Sequence, residues 1–404
     1  MVKVRKEGVL IESTELEFEN QAVLNPSVVQ IRDTLHIFYR AVREGNFSSI
    51  GYCRLKGPKK IMLRKKKPII FPEFEYEKHG IEDPRVVKLG EIYYLFYTGY
   101  DGKNALICYA ISKDLRNWEK KGIISPTITY DEAEDCFRAS KVKEKYFFFE
   151  SYFKDTVGPD VLLWEKDAFI FPKKFNNQFG LVHRIYPDIQ IIYFNEFKDL
   201  TNDYWKNYLR HLGDHVILEP KYGFESRNIG AGAPVIETKR GWLMIYHSVE
   251  DTNKGKTYNA SAALLDLNDP TKEIARLKEP LFYPTEDYEI FGDVDNVIFP
   301  SGTAIFGKRL YIYYGAADKR IAVASLNLEE LLHELLATEV ETGLGFLAGQ
   351  IFNLALREEK TITQLMQLTN QNENIILMSV GWLVRENKVF ARFEGNEIVV
   401  KIID

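Results

Sequence analysis

A short apolar strand, a brief polar turn and an aromatic-rich returning strand recur along this chain. That repetition limits the fold more than any other property of the sequence. Pro26 opens SVVQIRDTLHIFYRA, which closes on Phe38-Tyr39-Arg40. Pro84 opens RVVKLGEIYYLFYTG, which turns at Gly90-Glu91 and closes on Phe96-Tyr97. The same layout reads from Phe137 (RASKVKEKYFFFESY), Phe171 (PKKFNNQFGLVHRI), Pro234 (VIETKRGWLMIYHSV) and Pro300 (SGTAIFGKRLYIYYGAAD). After several of these a third strand carries small residues, beginning at Ser49, Ala105, Ala260 and Arg320. Units of three or four antiparallel strands cannot bury both faces alone; radial stacking does so and hides most strand edges. The repeats therefore predict an all-β fold, a β-propeller, with a pair of β-sandwiches as the alternative. Their uneven intervals predict insertions, so six matches do not require six blades.

At 404 residues the chain has room for a large domain and a small one. Its 23 Tyr and 26 Phe suit strands. A net charge of −5 argues against nucleic acid or a membrane surface as an electrostatic partner. Cys53, Cys108 and Cys136 are too widely spaced for a zinc site or a disulfide framework. The basic N-terminus lacks an apolar core for export and no stretch approaches a membrane span, so a soluble, cytoplasmic protein is expected.

Between Phe194 and Pro220 a short helix is predicted around Asp203 to Leu212. From Leu328 the leucines at 328, 331, 332, 335 and 336 follow a helical period. After Gly343 the chain reads as a separate small domain. Helices from Phe346, Thr361 and Glu373 precede a strand pair turning at Glu394-Gly395-Asn396. The expected division is residues 1–340 and 341–404, and the second part resembles small bacterial winged helix-turn-helix domains. DNA binding is one reading of it. The helix from Glu373 to Glu386 is apolar with Arg385 as its one cation, which favours packing or dimerisation instead.

Chemistry is sought among polar residues flanking the repeated strands: Asn25, Arg40, Asp83, Arg85, His183, Arg184, Asp188, His247, Asp293, Asp295 and Asp318. Carboxylates, arginines and histidines around one opening suit a carbohydrate together with a small anion. Taken singly, each has a structural reading: His183 and His247 as sheet histidines, Asp318 as a turn acid. Asp83, in Glu82-Asp83-Pro84-Arg85, is expected on a loop just before a strand. Gly230-Ala231-Gly232-Ala233-Pro234 is glycine-rich but precedes a strand, so it is no cofactor loop. A metal site from Asp293, Asp295 and Asp318 has no diagnostic spacing, and none is assigned.

These motifs, in order over about residues 20 to 335, resemble glycoside hydrolase family 130, the β-mannoside phosphorylases and their hydrolytic relatives. They include Asn25-Pro26, Phe38-Tyr39-Arg40-Ala41, Gly80-Ile81-Glu82-Asp83-Pro84-Arg85, Lys166-Asp167-Ala168 and His183-Arg184. Ile229 to Pro234, Ile245-Tyr246-His247, Ala262 to Asp266 and Tyr313 to Asp318 complete the series. The resemblance implies a five-bladed propeller, with one repeat assigned to an insertion. It implies that Asp83 is the general acid, acting through the sugar's own 3-hydroxyl. Inorganic phosphate, the co-substrate, then attacks the anomeric carbon and inverts it to α-mannose 1-phosphate; no cofactor is needed. Arg40, Lys166, Arg184 and His247 match the phosphate cradle; Asn25, Arg85 and Asp318 match sugar-binding positions. Asn228 stands where phosphorylases commonly carry Lys, so a hydrolytic alternative is kept, with Glu225 as the base that would activate water. A third reading is a sugar-sensing regulator with a DNA-binding tail. Linkage, acceptor sugar and chain length depend on loops such as Arg43 to Ser49 and Asp251 to Lys256. A homo-oligomer is compatible with the sequence.

Overall fold

A computed structural model describes residues 2–253, 255–395 and 397–403, without the side chains of residues 338–342. The chain divides into two compact units, residues 1–332 and 333–404. The first is mostly β. Its opening strand, β1 (Arg5–Ile11), is followed by β2 (Ala22–Ile31), β3 (Thr34–Arg43), β4 (Phe47–Lys56) and β5 (Lys60–Arg64), paired antiparallel in sequence order. The next four, β6 (Gly80–Leu89), β7 (Ile92–Tyr100), β8 (Ala105–Ser112) and β9 (Glu119–Ile123), repeat that meander. The two sets join through one parallel bridge, Ser48 to Gly80. The turn at Gly90-Glu91 falls where the sequence places it, with Gly90 at φ +61°.

Two helices come next, α1 (Tyr130–Ala139) and α2 (Lys145–Val157). They correct the hairpin expected from Phe137. Tyr146, Phe149 and Phe153 are buried at spacings of three and four, which is a helical face rather than a strand's alternation. Thr129 and Glu132 start α1 with a reciprocal capping box.

A third sheet follows: β10 (Lys166–Ile170), β11 (Phe179–Arg184), β12 (Ile189–Phe194) and, after α3 (Asn202–Leu209), β13 (Val216–Leu218). Its first strand precedes Phe171 instead of starting there. The fourth sheet holds β14 (Asn228–Ala231), β15 (Ile236–Thr238), β16 (Gly241–Thr252), β17 (Gly255–Leu265) and β18 (Glu273–Arg276). After the short α4 (Asp287–Ile290) come β19 (Ile298–Phe306), β20 (Arg309–Ala316) and β21 (Arg320–Asn327). Here β1 pairs antiparallel with β21, so the first strand of the chain completes the last sheet.

One arrangement recurs in four of these sheets. Glu19, Glu77, Glu225 and Glu289 are fully buried, and each accepts a hydrogen bond from a tyrosine on its sheet's second long strand. The donors are the hydroxyls of Tyr39 (2.7 Å), Tyr97 (2.7 Å), Tyr246 (2.6 Å) and Tyr314 (2.7 Å). A cation completes each set: Arg64, Lys120, Arg276 and Lys6 respectively. In the last three, two backbone N–H groups also donate to the carboxylate. A buried carboxylate is stable when both oxygens accept hydrogen bonds and a cation is close, as here.

The helix α5 (Leu328–Ala355) starts in the last residues of the first unit and is continuous, where the sequence suggests two segments around Gly343. Then come β22 (Lys360–Thr361), α6 (Ile362–Thr369), α7 (Glu373–Arg385), β23 (Val389–Glu394) and β24 (Glu397–Ile402). The hairpin falls as expected, although Asn396 of its turn lies outside the described residues. Ile351, Leu365, Ile376, Val380, Val389 and Val400 form the core of the second unit. Among the described residues no helix is long and apolar enough to cross a membrane.

Candidate active site

Three strands that open their sheets break register at a bulge, and in each the residue at the break has positive φ. These are Asn25 in β2 (φ 48°), Asp83 in β6 (φ 51°) and Asp167 in β10 (φ 60°). Asn and Asp tolerate this left-handed conformation better than other side-chain-bearing residues, and bulges re-aim side chains. Asp83 is therefore inside a strand and 9% exposed, not on a solvated loop.

The bulges bring charge together. Asn25 Nδ2 donates to Asp83 Oδ1 at 2.7 Å. Arg40 Nη1 lies 3.9 Å from the same oxygen. Glu82 bridges two cations, accepting from Arg40 Nη2 at 2.8 Å and Lys166 Nζ at 3.0 Å. Burial works against the Glu82 carboxylate, but Arg40 and Lys166 outweigh it and hold its pKa down at about 2. Burial likewise opposes charge on Lys166, yet Glu82 and Asp83 push its pKa up, so it stays protonated. Arg85, fully buried, donates from Nε to Gly232 O at 2.6 Å and from Nη1 to the Asp83 and Pro84 carbonyls.

Lys166 and Arg184 face each other across β10 and β11. Arg184 Nε lies 3.0 Å from Asp167 Oδ2 without hydrogen-bond alignment. Arg184 Nη1 donates to His247 Nε2 at 3.2 Å. Burial, reinforced by Arg184 and Arg85, holds the His247 pKa well below its ordinary value. His247 is thus a neutral imidazole. Because Nε2 accepts from Arg184, the ring proton is assigned to Nδ1. That atom, Arg184 Nε, Arg85 Nη2 and Asn228 Nδ2 are buried donors with no hydrogen-bond partner among the described residues. Two of them, Arg184 Nε and Arg85 Nη2, lie 3.0 and 3.7 Å from the Asp167 carboxylate, whose oxygens also lack an aligned donor; buried polar groups are rarely left so. Gly230 pairs with His247 across the sheet, and a Cβ there would meet His247 Cε1 at 2.3 Å and Asp167 Oδ2 at 2.6 Å. The glycine-rich segment thus makes room for side chains, not for a nucleotide.

Asp318 lines a cleft of ≈ 580 Å³ with Arg40, Gln21, Asn46 and Asp293. Burial raises its pKa to about 6, against the pull of Arg40 and with Asp83 and Glu82 adding to the rise.

Other expected residues lie elsewhere. His183 is buried between Glu165 (3.1 Å) and the Tyr208 hydroxyl (2.7 Å), a packed sheet histidine. Asp188 accepts from the Tyr146 hydroxyl at 2.8 Å. Asp293, although it lines the Asp318 cleft, pairs with Lys319, and Asp295 takes the Gly292 N–H in an exposed turn. Glu225 is the third of the four buried glutamates described above. Its partner Tyr246 precedes His247, and successive strand residues point to opposite faces, so Glu225 is on the face away from His247. A carboxylate committed there to Tyr246, Arg276 and two N–H groups does not fit the expected role of water-activating base. Glu82 and Asp167, neither among the expected site residues, hold the cations of the site: Glu82 those of Arg40 and Lys166, Asp167 those of Arg85 and Arg184; their signal in the sequence is adjacency to Asp83 and Lys166.

Residues 5–336 match the model of glycoside hydrolase family 130, described as beta-1,4-mannooligosaccharide phosphorylase. The chain belongs to this family. Residues 339–402 match a winged helix-turn-helix domain model. The 1,2-beta-oligomannan phosphorylase of Thermoanaerobacter sp. (strain X514) is 35% identical over 82% of this chain and 99% of its own length. A beta-1,2-mannobiose phosphorylase of the same organism is 34% identical, over 82% and 98%. In structure, the β-1,2-mannobiose phosphorylase of Listeria innocua covers 82% of this chain and 99% of its own, with a TM-score of 0.61 at 24% identity. At that identity the likeness speaks for the fold.

Proposed function

We propose that this family 130 member cleaves β-mannosides by phosphorolysis, with inversion, releasing α-mannose 1-phosphate and a shortened sugar. The names of its 34–35% identical relatives favour β-1,2-linked mannosides as substrates. The observation that carries the reading is the set of buried donors on Arg184, Arg85, His247 and Asn228 without an aligned partner, which supports an anion site beside Lys166, with Asp167 neutralising part of the Arg184 and Arg85 charge. Asp83, with one oxygen held by Asn25, is the acid, giving its proton through the sugar 3-hydroxyl to the departing oxygen. The C1–O bond breaks as a phosphate oxygen bonds to C1 from the other face. Phosphate is already nucleophilic and needs no base, whereas water does. Asn228 keeps a neutral donor where a lysine is common. Arg40 and Lys166, fixed by Glu82, cannot swing away. Asp318 and Arg85 complete the sugar and anion contacts.

For this purpose the five strand sets are read as blades of a five-bladed propeller, with β1 closing the fifth. The contacts of β2 with β6 and β19, and of β6 with β10, support that ring. We place the working boundary at 340/341, the enzyme in the cytoplasm, and phosphate as its only small co-reactant. The tail serves packing or self-association. The exposed residues of α7 include Asn374, Met378, Gly381 and Val384, with Arg385 as the helix's one cation, which is poor for phosphate-backbone contact.

The test is incubation with β-1,2-mannobiose with and without phosphate, following anomeric products by NMR. Phosphate-dependent α-mannose 1-phosphate is expected. Equal cleavage without phosphate, giving only free mannose, overturns the reading.

A further inference from the structure

A second cavity, of ≈ 450 Å³, is built on the other face of the strand that carries Arg40. Residues three apart on a strand point to opposite faces, so Arg43 faces away from Arg40. In the β3–β4 register Arg43 is opposite Phe47 and Ala41 opposite Ser49. Arg43, Phe47 and Ser49 therefore share the face of the hairpin that lines this cavity, with Phe18 and Phe71 completing its aromatic walls.

Three observations mark it as a built site. Ser49 is 5% exposed, and its hydroxyl is buried with no hydrogen-bond partner among the described residues. The wall from Pro68 to Pro72 is stitched in place: Ile50 N donates to Ile70 O at 2.8 Å, Ile69 N to Ile50 O at 2.7 Å, and Lys120 Nζ to Phe71 O at 2.6 Å. Phe71 nevertheless leaves 54% of its surface uncovered, and the Arg43 guanidinium stacks 4.3 Å from the centre of the Phe47 ring. The site thus offers apolar ring faces, a buried hydroxyl, the Lys66 and Lys67 side chains, and the Arg43 guanidinium paired with the Glu17 carboxylate at 3.4 Å. Rings that take C–H faces, beside polar groups of both kinds, are the chemistry of a pyranose rather than of a lipid. Ser48, next to Ser49, bridges Gly80, three residues before Asp83, so one strand of the cavity is bridged to the strand that carries the acid.

We infer that this cavity is a distal sugar subsite, which holds a far residue of a β-mannan chain whose scissile bond lies at Asp83. The inference rests on the phosphorolytic reading for the identity of the chain. It makes the enzyme selective for oligosaccharides over the disaccharide, and it assigns that selectivity to Phe47, Phe71 and Ser49.

The experiment compares β-1,2-mannobiose with β-1,2-mannotetraose in wild type, Phe71→Ala, Phe47→Ala and Ser49→Val. Phosphorolysis kinetics and calorimetric binding of the tetraose without phosphate are both measured. Phe71 is half exposed, so its truncation leaves the fold intact. Phe71→Ala and Phe47→Ala are each expected to raise the tetraose KM and Kd about five- to tenfold. Ser49→Val is expected to raise both about threefold, and mannobiose kcat/KM is expected to stay within twofold in all three. If the tetraose-to-mannobiose ratio is unchanged in the variants while wild type turns over both, the subsite is wrong and the phosphorolytic reading stands. If wild type binds the tetraose, loses binding in the variants, but cleaves nothing, the subsite stands and the reading falls. No tetraose binding to wild type overturns the subsite outright.

Discussion

Glu225→Gln separates a structural carboxylate from a catalytic one. The substitution is nearly isosteric but replaces two acceptors with one acceptor and one donor, in a place where every neighbour donates. Tyr246 Oη at 2.6 Å, Lys221 N at 2.7 Å, Tyr222 N at 3.1 Å and Arg276 Nη1 at 3.3 Å all point at this carboxylate. Removing one partner of a buried pair costs about 3–5 kcal/mol. Arg276 keeps Glu219 O at 2.7 Å, and glutamine keeps one oxygen, so the lower end, about 3 kcal/mol, applies. At about 1.4 °C per kcal/mol for a unit of this size, Tm falls by about 4 °C. Phosphate-dependent kcat/KM at 25 °C, scaled to the folded fraction, stays within about twofold of wild type. Thermal melting and initial rates on mannobiose measure the two quantities. Tyr246→Phe, which leaves the carboxylate in place, is expected to reproduce part of the Tm loss, about 1 kcal/mol. An unchanged Tm with turnover lost more than about a hundredfold would refute the structural assignment and restore Glu225 as a base.

Asp83→Asn is expected to lose at least about a hundredfold in kcat while melting like wild type. Its φ of 51° suits Asn as well as Asp, and the amide oxygen still accepts from Asn25; near wild-type rates would remove it as the acid. Arg184→Ala is expected to raise the phosphate KM about tenfold or more, with the mannoside KM changed far less. Equal changes in both would count against the cradle. Gly230→Ala places a methyl where His247 and Asp167 sit, so phosphate KM should rise even though no charged group is removed; wild-type kinetics would contradict the packing. Asp188 gives a pH test. Burial raises its pKa to about 7, while an unfolded aspartate titrates near 3.9, so its folded-state stabilisation is full below about pH 4 and fades as pH rises toward 7. Asp188→Asn, which mimics the protonated form, should flatten the fall of Tm between about pH 4 and 7, and an unaltered slope would deny the shift.

The strand repeats were legible because alternation and turn chemistry are local: Val86-Val87, Gly90-Glu91 and Ile92 to Tyr97 fix a hairpin without help from the rest of the chain. The α1–α2 insert was not, because Tyr146-Phe147-Phe148-Phe149 has the composition of a strand and only Thr129 and Glu132 announce a helix. In the site, Asp83, Arg40, Arg184, Lys166, His247 and Asn25 were found by motif. The neutrality of His247 depends on burial between Arg184 and Arg85, which lie 63 and 162 positions away along the chain. The commitment of Glu225 also needed coordinates. It depends on Tyr246 and Arg276, partners separated from it by 21 and 51 positions. The same glutamate–tyrosine spacing of 20 to 25 positions occurs four times and was visible in principle.

The pairing of Arg5–Ile11 with Arg320–Asn327 has a consequence for biogenesis. A ribosome delivers the first strand hundreds of residues before its partner exists, so that strand must wait unpaired through most of synthesis. Lys6 waits too, since its carboxylate, Glu289, arrives just as late. Shortening the chain by its first eleven residues would expose the edge of β21 and leave Glu289 buried beside Tyr314 without a counter-charge. A trimmed protein would therefore misassemble or aggregate at a place far in sequence from the cut.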